Sequence, residues 1–506
     1  MKRLFWVAAL AAMVILSPAC GDGTSGPIPL PPALDLGDPV ALSEEPERQF
    51  DFWLGEWDVV NRRARDGRWI DDGAARARVH GVVDGGAVLE RWDGTLGGKP
   101  LFGFSLRAYD AALGRWVIWL NWTGTGPDGF SEMHGRRNGE RMETFPPGDD
   151  QHLRFRFAEV RSESCQWEQA TSSDGQTWFT DWVMHFTRRE EPLALDAGNA
   201  PIIAPPESAA EFPQTRELDF LLGAWEGSAT TIAEDGSSEQ GAVRARVTSM
   251  IEGLGLLQFL DLQAGERNLA ALGWDRGADG WVALRTDNRA GAITRMVGTL
   301  EPRGVRFIAP GSALRESWSC PADDACSWRR ETSSDGGANW VTTVEARLTR
   351  SLSTAAWIDF PGARTPFERV LTGGQPTADQ LAWAARNGYR TVVNLRAPGE
   401  DGELPGEAEL VETLGMKYVA IPLAGAEELT TENASKLARA LEDPDALPAI
   451  VHCGSGNRVG ALFGLKARAI DGLSVEEALE VAHRAGVTRL APAVRERLSL
   501  VEQGSR

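Results

Sequence analysis

The stretch Val451-His452-Cys453-Gly454-Ser455-Gly456-Asn457-Arg458 decides how the last third of this chain is read. The apolar run at 447–452 predicts a buried strand, and the run from 459 to about 470 predicts a helix. A loop between a buried strand and a helix N-terminus turns backbone N–H groups inward, and Gly454 and Gly456 permit the tight curl. The helix start adds partial positive charge. A thiol at the loop's entrance, Cys453, then has its thiolate favoured by those donors and by Arg458. Arg458, at the exit, can grip an oxyanion bidentately. Cys453 and Arg458 are therefore the candidate catalytic pair. Gly454, Ser455, Gly456 and Asn457 form the candidate anion-binding loop. His452 is expected to orient that loop by hydrogen bonding rather than to act as a base.

Working outward, strands alternate with helices from about residue 367. Residues 376–386 read as a helix opened by the capping-box pattern Thr377-x-x-Gln380, and 389–395 as a strand. Residues 407–414 and 431–441 read as helices, and 417–421 as a strand. Ser474-x-x-Glu477 caps a further helix that ends at Gly486. This order predicts an α/β domain with a mostly parallel sheet and its ligand site at the strands' carboxyl ends.

Three stretches carry a family resemblance: Thr372-Gly-Gly-Gln-Pro376, Thr391-Val-Val-Asn-Leu-Arg396 and His452-Cys-Gly-Ser-Gly-Asn-Arg-Val-Gly-Ala-Leu462. Through them, residues 367–495 resemble the phosphatase-like domain of the beta-lactamase-hydrolase-like proteins, a branch near dual-specificity protein phosphatases. The resemblance implies that Cys453 is the nucleophile and forms a phosphocysteine. It also implies that Arg458 and the loop amides hold the phosphoryl group and that Arg396 lines the anion pocket. The sequence departs from the phosphatase signature at three points. Four residues, not five, separate Cys453 from Arg458. Val459 stands where phosphatases place Ser or Thr. The stretch after Ile421 offers Glu427 and Glu428 but no Asp as general acid. The expected activity is hydrolysis of a phosphate ester on a small phosphorylated or other anionic substrate. Two alternatives stand beside it. One is a rhodanese-like sulfurtransferase with a Cys453 persulfide, since rhodanese loops have about this size. The other is a non-enzymatic binding protein with an inactive anion receptor. No metal or other cofactor is expected.

The preceding two-thirds of the chain repeats itself. Phe52-Trp-Leu-Gly-Glu-Trp57 returns as Phe220-Leu-Leu-Gly-Ala-Trp225, and Arg76-Ala-Arg-Val79 returns as Arg244-Ala-Arg-Val247, both at an offset of 168 (52 to 220, 76 to 244). Tyr109-Asp110…Trp116 matches Trp274-Asp275…Trp281. Trp167…Ser172-Ser-Asp-Gly175…Trp178 matches Trp328…Ser333-Ser-Asp-Gly336…Trp340. Kept order with a shrinking offset means a duplicated domain with loop deletions, and the period is too long for a solenoid unit. Period-two stretches such as Leu153-Arg-Phe-Arg-Phe157, separated by Asp-Gly turns, predict antiparallel β-barrels or sandwiches. The opening and closing motifs resemble an uncharacterised bacterial lipocalin-like barrel family over about 45–190 and 212–350. An apolar ligand in each barrel follows from that resemblance. The tryptophans read as core fillers, with an aromatic ligand cavity as the competing reading. His80, His134, His152 and His185 lack metal-ligand spacing and are expected at the surface.

Residues 1–20 read as a lipoprotein-type export signal: Lys2 and Arg3, then a short apolar run, then Ser17-Pro18-Ala19 before Cys20. The segment resembles a lipobox, which makes Cys20 the expected lipidation site tying the protein to the membrane of a bacterial cell envelope, with 21–46 as a flexible tether; an ordinary cleaved signal or an uncleaved anchor is the other reading. In that oxidising setting Cys320 and Cys326 are the expected disulfide, and Cys165 a small buried hydrophobe. The formal net charge of −20 argues against nucleic acid as a partner. The resulting organisation is signal 1–20, tether 21–46, barrel 47–192, Pro-rich linker 193–213, barrel 214–350, linker 351–366 and phosphatase-like domain 367–506.

Overall fold

A computed structural model describes residues 28–122, 129–148, 151–190, 195, 197, 200, 213–233, 235–262, 265–311, 313–322, 324–351, 362–367, 369–386 and 388–500. The export signal and Cys20 lie outside them.

Each repeat closes into a ten-stranded antiparallel barrel, two strands more than the eight of lipocalins. The first comprises β1 (Gly55–Arg65), β2 (Arg68–Val82), β3 (Ala87–Leu96), β4 (Lys99–Asp110) and β5 (Arg115–Trp122), then β6 (Ser131–Asn138), β7 (Arg141–Phe145), β8 (Leu153–Ala158), β9 (Ser164–Thr171) and β10 (Phe179–Glu190). It is an up-and-down meander closed by β1, which pairs with both β2 and β10. The β1–β2 hairpin shows how sequence sets register. Asp66 and Gly67 both take positive φ (49° and 72°), the pair of left-handed residues a type I′ turn demands. Just before β1, the single turn Asp51–Trp53 buries Phe50 and Trp53 in the barrel.

The second barrel repeats the plan with β11 (Gly223–Ile232), β12 (Ser238–Met250), β13 (Gly255–Leu262), β14 (Glu266–Asp275) and β15 (Gly280–Asp287), then β16 (Thr294–Glu301), β17 (Gly304–Ile308), β18 (Leu314–Ala322), β19 (Ala325–Thr332) and β20 (Val341–Arg350). Cys320 and Cys326 form a disulfide across the β18–β19 hairpin. The two barrels share one apolar cluster, with Leu106, Val117 and Phe130 from the first against Leu257, Leu269 and Leu284 from the second.

Three expectations change. The stretch read as a tether is docked from residue 28 onward: Ser164 Oγ donates to Leu34 O and Leu36 O, Val40 N donates to Val160 O, and Leu42 is buried. Its prolines suit an extended segment laid along a barrel as well as a loose one. Part of the linker between the barrels is also packed, since Leu195, Ala197 and Ala200 are buried in the shared cluster. His185 is not at the surface. It is 2% exposed on β10, with Nε2 3.0 Å from Gln166 Oε1, and burial pushes its pKa down.

The C-terminal domain is built on a five-stranded sheet: β21 (Arg364–Phe367), β22 (Val370–Gly373), β25 (Ala449–His452), β23 (Thr391–Asn394) and β24 (Lys417–Ala420), in that spatial order. The sheet is mixed. β22, β25, β23 and β24 run parallel, and β21 pairs antiparallel at the edge. Helices α1 (Ala378–Arg386), α2 (Glu407–Thr413), α3 (Thr431–Glu442), α4 (Asn457–Ala469), α5 (Val475–Arg484) and α6 (Ala491–Leu500) accompany it. All four residues of β25 are buried, the burial expected of a central parallel strand. Among the described residues no helix is long and apolar enough to cross a membrane.

Candidate active site

The central strand β25 delivers His452 and Cys453 to the carboxyl end of the sheet, and α4 begins four residues later. Gly456 makes that short return feasible. It takes φ 84° as the residue capping α4, a conformation that costs an L side chain ~1 kcal/mol or more. Its N–H donates to Cys453 Sγ at 3.2 Å. The sulfur is almost fully buried, at 1% residue exposure, while Gly454 and Ser455 above it are exposed. Cys453 N donates to Gly373 O of β22, which fixes the loop's start.

Arg458 lies in the first turn of α4. Its Nη1 donates to Glu400 Oε2 at 2.7 Å and to Leu423 O at 2.7 Å, and its Nη2 donates to Glu400 Oε1 at 2.5 Å. This bidentate pairing, seconded by Cys453, holds the guanidinium above its ordinary range against the opposing effect of burial. The same bonds hold the Glu400 carboxyl below the usual carboxylate range.

His452 is fully buried, with Nε2 2.6 Å from Glu407 Oε1. Glu407 Oε2 accepts from Gln375 Nε2 at 2.8 Å and from Asn394 Nδ2 at 3.4 Å. His452 is therefore locked from below by a carboxylate that also ties the ends of β22 and β23. Arg396 is turned to the neighbouring loop. Its Nη1 donates to Gly402 O (3.0 Å) and Gln375 Oε1 (3.2 Å), its Nη2 to Asp401 O (2.5 Å), and it lies 3.4 Å from Glu400. It holds the loop that carries Glu400. Asn457 Oδ1 accepts from Thr488 N and Leu490 N, so that side chain anchors the α5–α6 connection and leaves only backbone to the ring. Val459 is fully buried in the domain core.

The carboxylate found at the loop is Glu400, not Glu427 or Glu428. Glu428 is spent on the turn before it, accepting from Ala424 N and Gly425 N. Sequence reasoning missed Glu400 and Glu407. Glu400 sits four residues past Arg396, a spacing that was visible but uninformative without the sheet. Away from this site, Cys165 is buried in the first barrel, and desolvation pushes its thiol pKa up.

A buried thiol at the carboxyl end of a central strand, facing a helix N-terminus and an arginine, is an arrangement compatible with one class in particular, the cysteine-dependent phosphatases. The comparisons agree with that class. Residues 359–489 match the family described as DSP-PTPase phosphatase fused to NAD+ kinase. The beta-lactamase hydrolase-like protein of Xylella fastidiosa (strain Temecula1 / ATCC 700964) is 33% identical over 116 residues, 22% of this chain and 26% of the relative. The match thus spans about a quarter of that relative's length. The same protein of strain 9a5c matches equally. Among solved structures, Tk-PTP in its active form aligns with 25% identity and a TM-score of 0.23, over 28% of this chain and 97% of that one. The core catalytic domain of the PP-IP phosphatase SIW14 from S. cerevisiae aligns with 13% identity and a TM-score of 0.24, over 28% and 88%. The C-terminal region is a phosphatase-like domain related to the dual-specificity and tyrosine-phosphatase type of cysteine phosphatases.

Proposed function

We propose that the C-terminal domain hydrolyses a phosphate ester through a thiol-phosphate on Cys453. The observation that carries this reading is the Cys453 sulfur, 3.2 Å from Gly456 N at the start of α4 with Arg458 beside it. The sulfur attacks phosphorus, the bond to the leaving oxygen breaks, and its electron pair departs with that oxygen. Water then attacks the phosphocysteine, the P–S bond breaks, its electron pair returns to sulfur, and inorganic phosphate leaves. Arg458 and the loop N–H groups balance the charge on the equatorial oxygens throughout.

The site's carboxylates restrict the substrate. Glu400 is held ionised by Arg458, and Glu407 is engaged with His452. Glu400 is therefore not a protonated acid waiting for a leaving group, and Glu407 is occupied by His452, so esters whose oxygen leaves unprotonated, such as aryl phosphates, should react fastest. The test is release of phosphate from 4-nitrophenyl phosphate. Cys453→Ser should lower it at least ~10²-fold, and vanadate should inhibit reversibly. Full activity in Cys453→Ser rejects the proposal. The four-residue ring keeps sulfur transfer as the second reading. A gain of one sulfur on Cys453 after thiosulfate, without phosphate release, would favour it.

The proposed setting is a bacterial cell envelope, with Cys20 lipidated. The basic and apolar run before Cys20 and the Cys320–Cys326 disulfide support export to an oxidising compartment. Mass spectrometry of the native N-terminus tests it, and an unmodified residue 20 in membrane-extracted protein rejects it.

A further inference from the structure

The two barrels differ inside at matched positions. β4 and β5 align with β14 and β15 at an offset of 165 (Asp110 with Asp275, Trp122 with Asp287). β8 and β9 align with β18 and β19 at an offset of 161 (Leu153 with Leu314, Thr171 with Thr332). Register confirms both alignments. Gly103 pairs with Trp122 as Asn268 pairs with Asp287, and Phe155 pairs with Gln169 as Glu316 pairs with Arg330.

In the first barrel Leu120, Trp122, Phe155 and Gln169 line a cavity of about 90 Å³. Their counterparts in the second barrel, Arg285, Asp287, Glu316 and Arg330, are bonded together instead. Arg285 donates to Glu316 (2.8 Å), Asp287 (2.7 Å) and Asn268 (2.7 Å), and Arg330 donates to Glu266 (2.6 Å), Asn268 (3.0 Å) and Glu316 (3.1 Å). β15 and β18 are not neighbours around the barrel, so the Arg285–Glu316 bond crosses its interior. The same duplication has kept one interior open and cross-linked the other.

We propose that the first barrel alone is a ligand chamber, and that its ligand is a small neutral ring compound carrying a hydrogen-bond acceptor. Size follows from the volume: at ~15 Å³ per enclosed water, 90 Å³ holds about six waters or one single or fused ring. The ring body follows from the walls, where Trp122, Trp167, Trp182, Phe155 and Phe157 are aromatic. Neutrality follows from charge pairing, since both guanidiniums on the wall already face carboxylates. Arg107 donates to Glu90 at 3.3 Å and to Ser105 at 3.3 Å, with the Trp53 ring 4.1 Å from its guanidinium carbon. Arg63 lies 3.7 Å from Asp181 and over the Trp182 ring at 4.1 Å. An incoming carboxylate would confront Glu90. The acceptor follows from Trp53, a lining residue 1% exposed whose Nε1 has no partner among the described residues. A buried N–H left unpaired is unfavourable, and a ligand oxygen relieves it.

The test is calorimetric titration of the full chain with 2-naphthol and with 2-naphthoate, its carboxylate counterpart. The expected result is one 2-naphthol site per chain and at least tenfold weaker naphthoate binding. Leu120→Arg combined with Phe155→Glu installs the second barrel's cross-link and should abolish binding while circular dichroism is retained. Should that variant fail to fold, Trp53→Phe, which keeps the ring and loses the N–H, should weaken 2-naphthol about tenfold. Two sites per chain, no binding of 2-naphthol, naphthoate binding as tightly, or unchanged affinity in the folded variants overturns the proposal.

Discussion

In the proposed reaction, Glu400 holds the guanidinium that would bind the phosphoryl group. Its two oxygens take both Arg458 Nη atoms, the geometry in which arginine grips a phosphate, so under that proposal a phosphate and the carboxylate would compete for one site. Removing the charge should help the anion: Glu400→Gln is expected to tighten vanadate binding by roughly tenfold, a ~1.4 kcal/mol gain. Inhibition curves on 4-nitrophenyl phosphate check this, and weaker vanadate binding would contradict it. The pH sense follows from the depressed carboxyl. The pair's stabilisation is complete above the unfolded carboxylate pKa and is lost as pH falls through the lower folded value. Between pH 6 and 8 Glu400 therefore contributes no titration step to the activity profile. Deeper in, Glu407 serves His452, Gln375 and Asn394 at once. Glu407→Ala would leave the fully buried His452 Nε2 without its partner, while Asn394 Nδ2 keeps Tyr418 Oη and the half-buried Gln375 Nε2 keeps Pro376 O, so a loss of ~1–3 kcal/mol is expected from urea unfolding of the C-terminal domain.

At the scale of elements, α4 packs closely against α5 and the turn after it, and glycines allow it. A Cβ on Gly460 would stand 2.1 Å from Val487 N and 2.6 Å from Ala482 O, and one on Gly464 2.7 Å from Ala482 Cβ. Helix propensity favours Gly460→Ala by ~1 kcal/mol, but overpacking against backbone costs up to ~3 kcal/mol. The clash wins, so a net loss of about 2 kcal/mol is expected in denaturant melts; a stabilised variant would refute the close packing. These helices were legible because their signals are local. Thr377 and Gln380 form the reciprocal cap read from their spacing, and Ser474 and Glu477 do the same. The strand at Arg364–Phe367 was not legible. It is four residues long, contains Pro366, and sits in a stretch read as linker. Ala491–Leu500 also escaped, since it buries only Val494 and Leu498. The site divides in the same way. Cys453, Gly456 and Arg458 are adjacent in sequence, whereas Glu407 and Glu400 lie 45 and 58 residues from the groups they bind. Only the strand order β22-β25-β23 brings those carboxylates to the loop.

At the scale of the molecule, duplication produced barrels whose outer faces became a common core. Phe130 is the link most open to test. It is 4% exposed, and a Cβ on Gly273 of the second barrel would stand 2.9 Å from its ring. Toward the other end of the same strand, β14, Asp84 of the first barrel accepts from Arg267, and also from Asn288 of the second. Burying such a face makes each barrel part of the other's solvent protection, so local opening in one should expose both. Phe130→Ala removes a buried ring at a cost of ~3–5 kcal/mol. Hydrogen exchange followed by mass spectrometry should then show faster exchange in β4 and β5 of the first barrel and equally in β14 and β15 of the second. A strictly one-sided effect would mean that the shared cluster is contact without coupling. In that case the apolar residues on the second barrel's face, Leu257, Leu269 and Leu284, would have to be stabilised by their own barrel alone.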